Sequence, residues 1–256
     1  MVVHDSTQRF SSRVENYVRY RPGYPPQILE VLQQDCGFHP SSIIADVGSG
    51  TGLLSKVFLE SGNHVFGIEP NKEMREAGER FLQGFSNFTS VTGTAETIPL
   101  HEDSVDFVTA GQAAHWFDRS LARREFLRIL KPDGWVVFVW NDRCTDSTDL
   151  LREYEQLLVT YGTDYREVQR TGFETVTEIT TFFEPNPVWQ KKFPHHQDFD
   201  FEGFKGRLLS SSYTPPPGHQ NHEPLLTELR RLFDLHNIAD KVRFEYETHM
   251  YYGRLS

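Results

Sequence analysis

The chain has 256 residues, 38% of them hydrophobic, and a formal net charge of −10. That length suffices for one large α/β domain, alone or with a cap. The acidic balance argues against nonspecific binding to nucleic acid or anionic membrane, both of which attract basic surface.

The start, Met1-Val2-Val3-His4-Asp5, lacks the basic and apolar run of a signal peptide. No stretch approaches the ~18 apolar residues of a membrane span. Cys36 and Cys144 form no CxxC pair, so neither a zinc site nor a disulfide framework is expected, and a reducing, cytoplasmic setting fits.

Residues 6–20 read as a weakly amphipathic helix, stopped by Arg21-Pro22-Gly23-Tyr24-Pro25-Pro26. A short helix spans 28–32. Ile43-Ile44-Ala45-Asp46-Val47 is a buried strand, followed by a glycine loop, a helix over 53–59 and Gly62 near its end. His64-Val65-Phe66-Gly67-Ile68 is a second strand, with Glu69 at its end. A helix over 71–81, a short strand over 88–91, a strand over 105–109 and a helix over 120–130 continue the alternation. Lys131-Pro132-Asp133-Gly134 reads as a turn, with the glycine free to take positive φ. Trp135-Val136-Val137-Phe138-Val139-Trp140 is a fifth strand. Five strands alternating with helices predict a doubly wound parallel sheet with helices on both faces.

Beyond Asn141 the rhythm changes. About a hundred residues separate this strand from the next candidate, 242–251. Helices are expected over 150–161 and 224–236, with an aromatic, histidine-containing stretch over 182–204 between them. Tyr213-Thr214-Pro215-Pro216-Pro217-Gly218 reads as a rigid loop. The excess is taken as a helical and irregular cap, inserted at about 142–237 into a single domain. That domain has a core over 40–141 and 238–256 and an N-terminal helical segment over 1–39.

Gly48 and Gly50 let backbone approach a ligand closely, and Gly52 lets the next helix pack tightly. The helix N-terminus offers N–H groups to an anionic ligand part. Glu69, roughly twenty residues on at the end of the next strand, is placed to accept hydrogen bonds from both ribose hydroxyls. A dinucleotide site would want GxGxxG. The run here is Gly48-Ser49-Gly50-Thr51-Gly52, preceded by Asp46, which is tighter.

That run resembles the first motif of class I S-adenosylmethionine-dependent methyltransferases, in particular the type 11 group. Gly67-Ile68-Glu69-Pro70-Asn71 to Met74 resembles the second motif, and Gly93-Thr94-Ala95-Glu96-Thr97-Ile98-Pro99-Leu100 the third. Thr94 stands where the family usually has aspartate; its hydroxyl is a weaker acceptor for the adenine amino group. The Ala95 N–H suits an adenine ring nitrogen. Gln112-Ala113-Ala114-His115-Trp116-Phe117 resembles a narrower subgroup of trans-aconitate methyltransferase-like proteins. So do the Tyr17, Tyr20, Arg21, Pro22, Tyr24 and Pro25 segment, the run from Trp140 to Arg143, Ser210-Ser211-Ser212-Tyr213, and Glu247-Thr248.

The resemblance implies a Rossmann-like doubly wound sheet, mostly parallel, with an antiparallel last strand. It implies S-adenosylmethionine as cofactor and S-adenosylhomocysteine as product. Its expected cofactor residues are Tyr20, Arg21, Asp46, Gly48, Ser49, Gly50, Thr51, Gly52, Glu69, Pro70, Met74, Thr94, Ala95, Glu96 and Gln112. His115, Trp116, Arg143 and Tyr213 are expected at the acceptor. His115 is a candidate base, or alternatively a pocket-wall residue. Tyr20 and Arg21 are candidates for the methionine carboxylate, or alternatively a turn cap. His195 and His196 lack metal-type spacing and are read as solvated, and no metal is expected. The expected partner is a small-molecule acceptor, with a carboxylate among the candidates, and the expected state is a monomer or weak homodimer. Nucleic acid and membrane are not expected partners. A methyltransferase acting on protein or RNA, a Rossmann oxidoreductase and a cofactor-binding module without catalysis remain as alternatives.

Overall fold

The computed structural model describes residues 14–168 and 176–256. The expected helix over 6–20 appears as α1, Val14–Tyr20, and the rest of that expectation lies outside the described residues. The elements follow as α2 Gln27–Cys36, β1 Ile43–Val47, α3 Leu53–Glu60, β2 His64–Ile68, α4 Lys72–Phe81, β3 Phe88–Val91, β4 Val105–Gly111, α5 Arg119–Ile129 and β5 Leu130–Arg143. Beyond them come α6 Asp149–Tyr161, α7 Tyr165–Val168, α8 Val176–Phe183, β6 Val188–Phe199, α9 Phe201–Leu209, α10 His222–His236 and β7 Val242–Gly253.

The sheet runs in the order β3-β2-β1-β4-β5-β7-β6. β1 to β5 are parallel, while β7 pairs antiparallel with β5, and β6 antiparallel with β7. This is the Rossmann-like α/β arrangement the alternation predicts. The strands β1, β4 and β5 carry β-branched and aromatic residues that bury on both faces, as sandwiched parallel strands do. On one face Ile44, Val65, Phe107, Val137 and Val139 pack under α2 and α3 through Ile28, Leu32, Leu54 and Phe58. On the other, Ala45, Val108, Val136 and Phe138 meet Ala122 and Phe126 of α5 and Phe182 and Phe183 of α8. A third cluster joins α6, α9 and α10 to the start of β7 through Tyr154, Leu158, Phe204, Leu229, Phe233, Phe244 and Tyr246.

Three details differ from expectation. Val105 pairs with Leu130 but Phe107 pairs with Trp135, so 131–134 bulges out of a continuous strand instead of preceding one. The left-handed residue in it is Asp133, φ 65°, a type that tolerates that conformation, and not Gly134. Finally, the region expected as an irregular cap contributes β6 to the sheet. His195 is therefore not a solvated cap residue: its ring lies on Tyr246 at 5.2 Å and its Nε2 is buried. His196 is exposed, as expected.

Candidate cofactor and acceptor site

The sheet order places β1 beside β4, while the chain winds outward through β2 and β3 on one side and β5 on the other. That reversal is the topological switch point, where ligands bind beyond the strand ends. A cleft of about 310 Å3, open to solvent, lies there, lined by Tyr24, Asp46, Ser49, Thr51, Leu54, Gly111 and their neighbours.

The glycine loop takes its shape from three left-handed residues, Gly48 at φ 68°, Gly50 at 55° and Gly52 at 83°. A Cβ on Gly48 would come within 2.6 Å of Ala113 Cβ, because the segment after β4 folds over the loop. A Cβ on Gly52 would come within 2.5 Å of Leu82 Cδ1, where α3 meets the end of α4. Gly52→Ala is therefore expected to lower folding stability by about 1–2 kcal/mol from the backbone conformation alone. Urea denaturation followed by circular dichroism reads it, and an unchanged midpoint would contradict the geometry.

Glu69 closes the loop. Its Oε2 accepts from Gly50 N–H at 2.9 Å and its Oε1 from Asn71 N–H at 2.8 Å. Burial pushes its carboxyl above the usual range, against the pull of those two N–H groups and of Arg75. Asn71 caps α4 by accepting from Met74 N–H at 2.9 Å. Asp46 is wholly buried behind the loop and accepts from Ser55 Oγ at 2.6 Å and Thr109 Oγ1 at 3.1 Å. Burial, the largest influence, raises its carboxyl to about 6 despite both hydroxyls.

The expected residues do not all converge. Asp46, Gly48, Ser49, Gly50 and Thr51 line the cleft. Glu69 is bonded to the loop, and the Met74 methyl lies 3.3 Å from where a Gly50 Cβ would stand. Pro70 and Thr94 are exposed, Ala95 is buried, and Glu96 accepts from Asp118 N–H at 2.9 Å. Thr94 bridges Thr97 backbone to backbone.

Gln112, left-handed at φ 57°, donates through Nε2 to Asn141 O at 2.9 Å. His115 follows it in the 3-10 turn Ala114–Trp116, where burial lowers its imidazole to about 4. Trp116, expected at the acceptor, is 38% exposed, with its ring against His115 at 4.8 Å.

Arg21 and Tyr20 are not among the cleft-lining residues. Arg21 donates to Ser210 Oγ at 3.1 Å and to Ser210 O at 3.1 Å. The Tyr20 ring lies against Gly206 so closely that a Cβ there would come within 2.1 Å. Arg143 pairs with Glu155 and donates to Tyr165 Oη at 3.1 Å, and Tyr213 packs its ring edge on Tyr165 at 4.7 Å. Arg143 and Tyr213 thus share the α6–α7 side of the cap.

Sequence reasoning left out Tyr24, Gly111, Leu53 and Leu54, which complete the cleft. The Tyr24 Oη would lie 2.5 Å from a Gly111 Cβ. The Tyr-Arg-Pro-x-Tyr-Pro segment carried that information, but nothing in it says which tyrosine faces the glycine loop.

One feature suits S-adenosylmethionine: Thr51 Oγ1 is buried in the cleft lining without a hydrogen-bond partner. Residues 45–138 match the family model described as a methyltransferase domain. That segment carries the glycine loop, Glu69 and the runs 93–100 and 112–117.

Similar sequences include an uncharacterized methyltransferase of Schizosaccharomyces pombe, 33% identical over 150 residues and 58% of each chain. Another is an uncharacterized methyltransferase of Mycobacterium tuberculosis, 37% identical over 139 residues and 54% of each. The chain spans little more than half the length of these relatives.

Among solved structures, a chain from Anaeromyxobacter dehalogenans provisionally assigned as a type II methyltransferase superposes with a TM-score of 0.68. It is 19% identical and covers 92% of this chain and 98% of that one. Haemonchus contortus phosphoethanolamine N-methyltransferase 2, in complex with S-adenosyl-L-methionine, gives a TM-score of 0.57 at 15% identity, over 98% of this chain and 59% of that one. The fold is the Rossmann-like methyltransferase fold.

Proposed function

We propose that the protein is an S-adenosylmethionine-dependent methyltransferase acting on a small-molecule acceptor, a carboxylic acid by preference. The observation that carries this reading is the junction of Glu69 with Gly50 at the switch point, beside the unpartnered Thr51 hydroxyl. That arrangement suits a nucleoside, with its ribose on the Glu69 carboxylate and its charged end on the loop.

In this reading the backbone of Gly48, Ser49, Gly50, Thr51 and Gly52 holds the amino-acid half, and Glu69 holds the ribose. Pro70, Met74, Thr94, Ala95 and Glu96 border the adenine. Gln112 closes the methionine end, and Tyr20 and Arg21 brace the adjoining α9 segment at Gly206 and Ser210. S-adenosylmethionine supplies a methyl group already activated by its sulfonium. The protein's own contribution is alignment and exclusion of water. A carboxylate acceptor arrives ionised and needs no base. His115, neutral above about pH 4, then orients the acceptor through a ring nitrogen.

The test is titration calorimetry with S-adenosylmethionine and, separately, NAD, followed by an acceptor screen that starts with aconitate and related acids. Binding of S-adenosylmethionine and acid-dependent release of S-adenosylhomocysteine are expected. Binding of NAD without S-adenosylmethionine would overturn the reading.

A further inference from the structure

On one sheet face Arg143 of β5, Tyr246 of β7 and His195 of β6 stand in register across three strands. Helices α6 and α9 cover this row. From α9, Arg207 donates through Nε to Tyr246 Oη at 3.1 Å and through Nη1 to Ser211 Oγ at 3.2 Å. From α6, the Tyr154 ring lies 5.0 Å below the Arg143 guanidinium.

Arg207 is only 5% exposed. Its hydrogen-bond partners are a phenol and a hydroxyl, and no carboxylate among the described residues pairs with it. Arg143 has Glu155. The cluster therefore holds two guanidinium groups against one paired carboxylate. A buried ion without a counter-ion is costly, and arginine cannot escape by losing its proton.

Two further polar atoms in the same cluster are buried and unpartnered, Tyr154 Oη and His195 Nε2. Native interiors rarely leave such groups unsatisfied. The Tyr154 ring meets Phe204 of α9 at 5.5 Å and Phe244 of β7 at 4.8 Å, which sets it among the elements that carry Arg207 and Tyr246.

The cluster adjoins the cofactor cleft. Thr248 donates to Asn141 Oδ1 at 2.6 Å and meets His195 Nδ1 at 3.1 Å. The Asn141 carbonyl receives Gln112, the residue after cleft-lining Gly111. Gly111 pairs with Val139, and Arg143 lies further along the same strand. Four residues separate Val139 from Arg143, about 13 Å at about 3.3 Å per residue, so an anion held there stands well away from the reacting end of the acceptor.

We propose that Arg207, with Arg143, Tyr154 and His195, forms an anion subsite that anchors a carboxylate or phosphate of the methyl acceptor away from the reacting atom. It rests on the methyltransferase reading. The excess positive charge attracts the anion, the guanidinium fork of Arg207 orients it, and the Tyr154 hydroxyl donates to it, while His195, whose Nδ1–H serves Thr248, walls the subsite with its ring. The remote contact fixes the acceptor's direction toward the cleft.

The experiment is thermal denaturation of the full chain at constant ionic strength with succinate, inorganic phosphate or neutral succinamide, fitted for affinity. Succinate or phosphate is expected to raise the transition temperature and succinamide not to. The better of the two anions identifies the acceptor's group. Arg207→Met is expected to weaken that anion at least about tenfold. Tyr154→Phe, which removes an unpartnered hydroxyl, should fold at least as stably as the parent and bind the anion several-fold more weakly. Should Arg207→Met fail to fold, Tyr154→Phe decides alone. Calorimetry with S-adenosylhomocysteine separates the two levels: its failure to bind the parent chain overturns the methyltransferase reading. Retained binding with no response to either anion, or with equal anion affinity in the folded variants, overturns the subsite.

Discussion

Glu69→Ala is expected to weaken S-adenosylmethionine binding by about a hundredfold or more in titration calorimetry. Two hydroxyl hydrogen bonds to a carboxylate are lost, each of a charged type worth about 1.5–3 kcal/mol. The same change strips acceptors from Gly50 and Asn71 N–H, so the loop that shapes the cleft loosens as well. Glu69→Gln keeps one acceptor oxygen and should fall between. Burial raises the Glu69 carboxyl, and only its ionised form accepts from both hydroxyls. Cofactor affinity should therefore fall as pH drops through a value above the ordinary glutamate range, and the Gln variant should lose that dependence. Wild-type affinity in the Ala variant would mean that the ribose lies elsewhere.

Asp46→Asn should change how stability depends on pH. In the folded chain the Asp46 carboxyl titrates at about 6, against an ordinary value of 3.8. Between those values the folded state keeps a proton that the unfolded chain has released. Stability from this group is therefore full below about pH 4, declines as pH rises toward 6, and stays reduced above. The shift corresponds to about 2–3 kcal/mol. Asparagine has no proton to lose, so the stability of Asp46→Asn relative to the parent should rise by that amount between pH 4 and 7. Its altered bonding to Ser55 and Thr109 adds an offset that does not vary with pH. Urea midpoints across that range measure the difference. Parallel curves would show that Asp46 stays ionised in the fold, with its hydroxyl donors outweighing burial.

Much of this site lies in short sequence. Ile43–Val47 reads as a strand because β-branched residues bury on both faces of a parallel sheet, and the glycines read as a turn because nothing else tolerates those angles. Glu69 was legible from its place after the second strand. The cap was not. β6 contains Lys191, Lys192, Pro194 and two histidines, a composition that favours no strand. It forms because β7 offers a complete ladder. Helix α9 carries Gly203 and Gly206, which weaken local helix preference, and Gly206 serves the close approach of Tyr20. The pairing of Arg207 with Tyr246 joins residues 39 apart in sequence, and no local pattern announces it. Arg21, with its donors suited to a carboxylate, instead holds Ser210 across 189 residues of chain.

The outermost strands bear on how the sheet ends. β3 is only 4 residues long, too short a template for another strand. At the opposite margin, β6 is 12 residues long and no strand among the described residues pairs with its outer edge, a length that invites a second chain to add to it. The same lysines, histidines and proline that hide β6 from sequence reading guard that edge. Pro194 has no N–H to offer an incoming strand, and the exposed Lys191, beside Lys192 in its ion pair with Glu247, sets charge along the edge that an incoming strand would have to desolvate. The residues that make the strand hard to recognise are those that disfavour pairing at its edge.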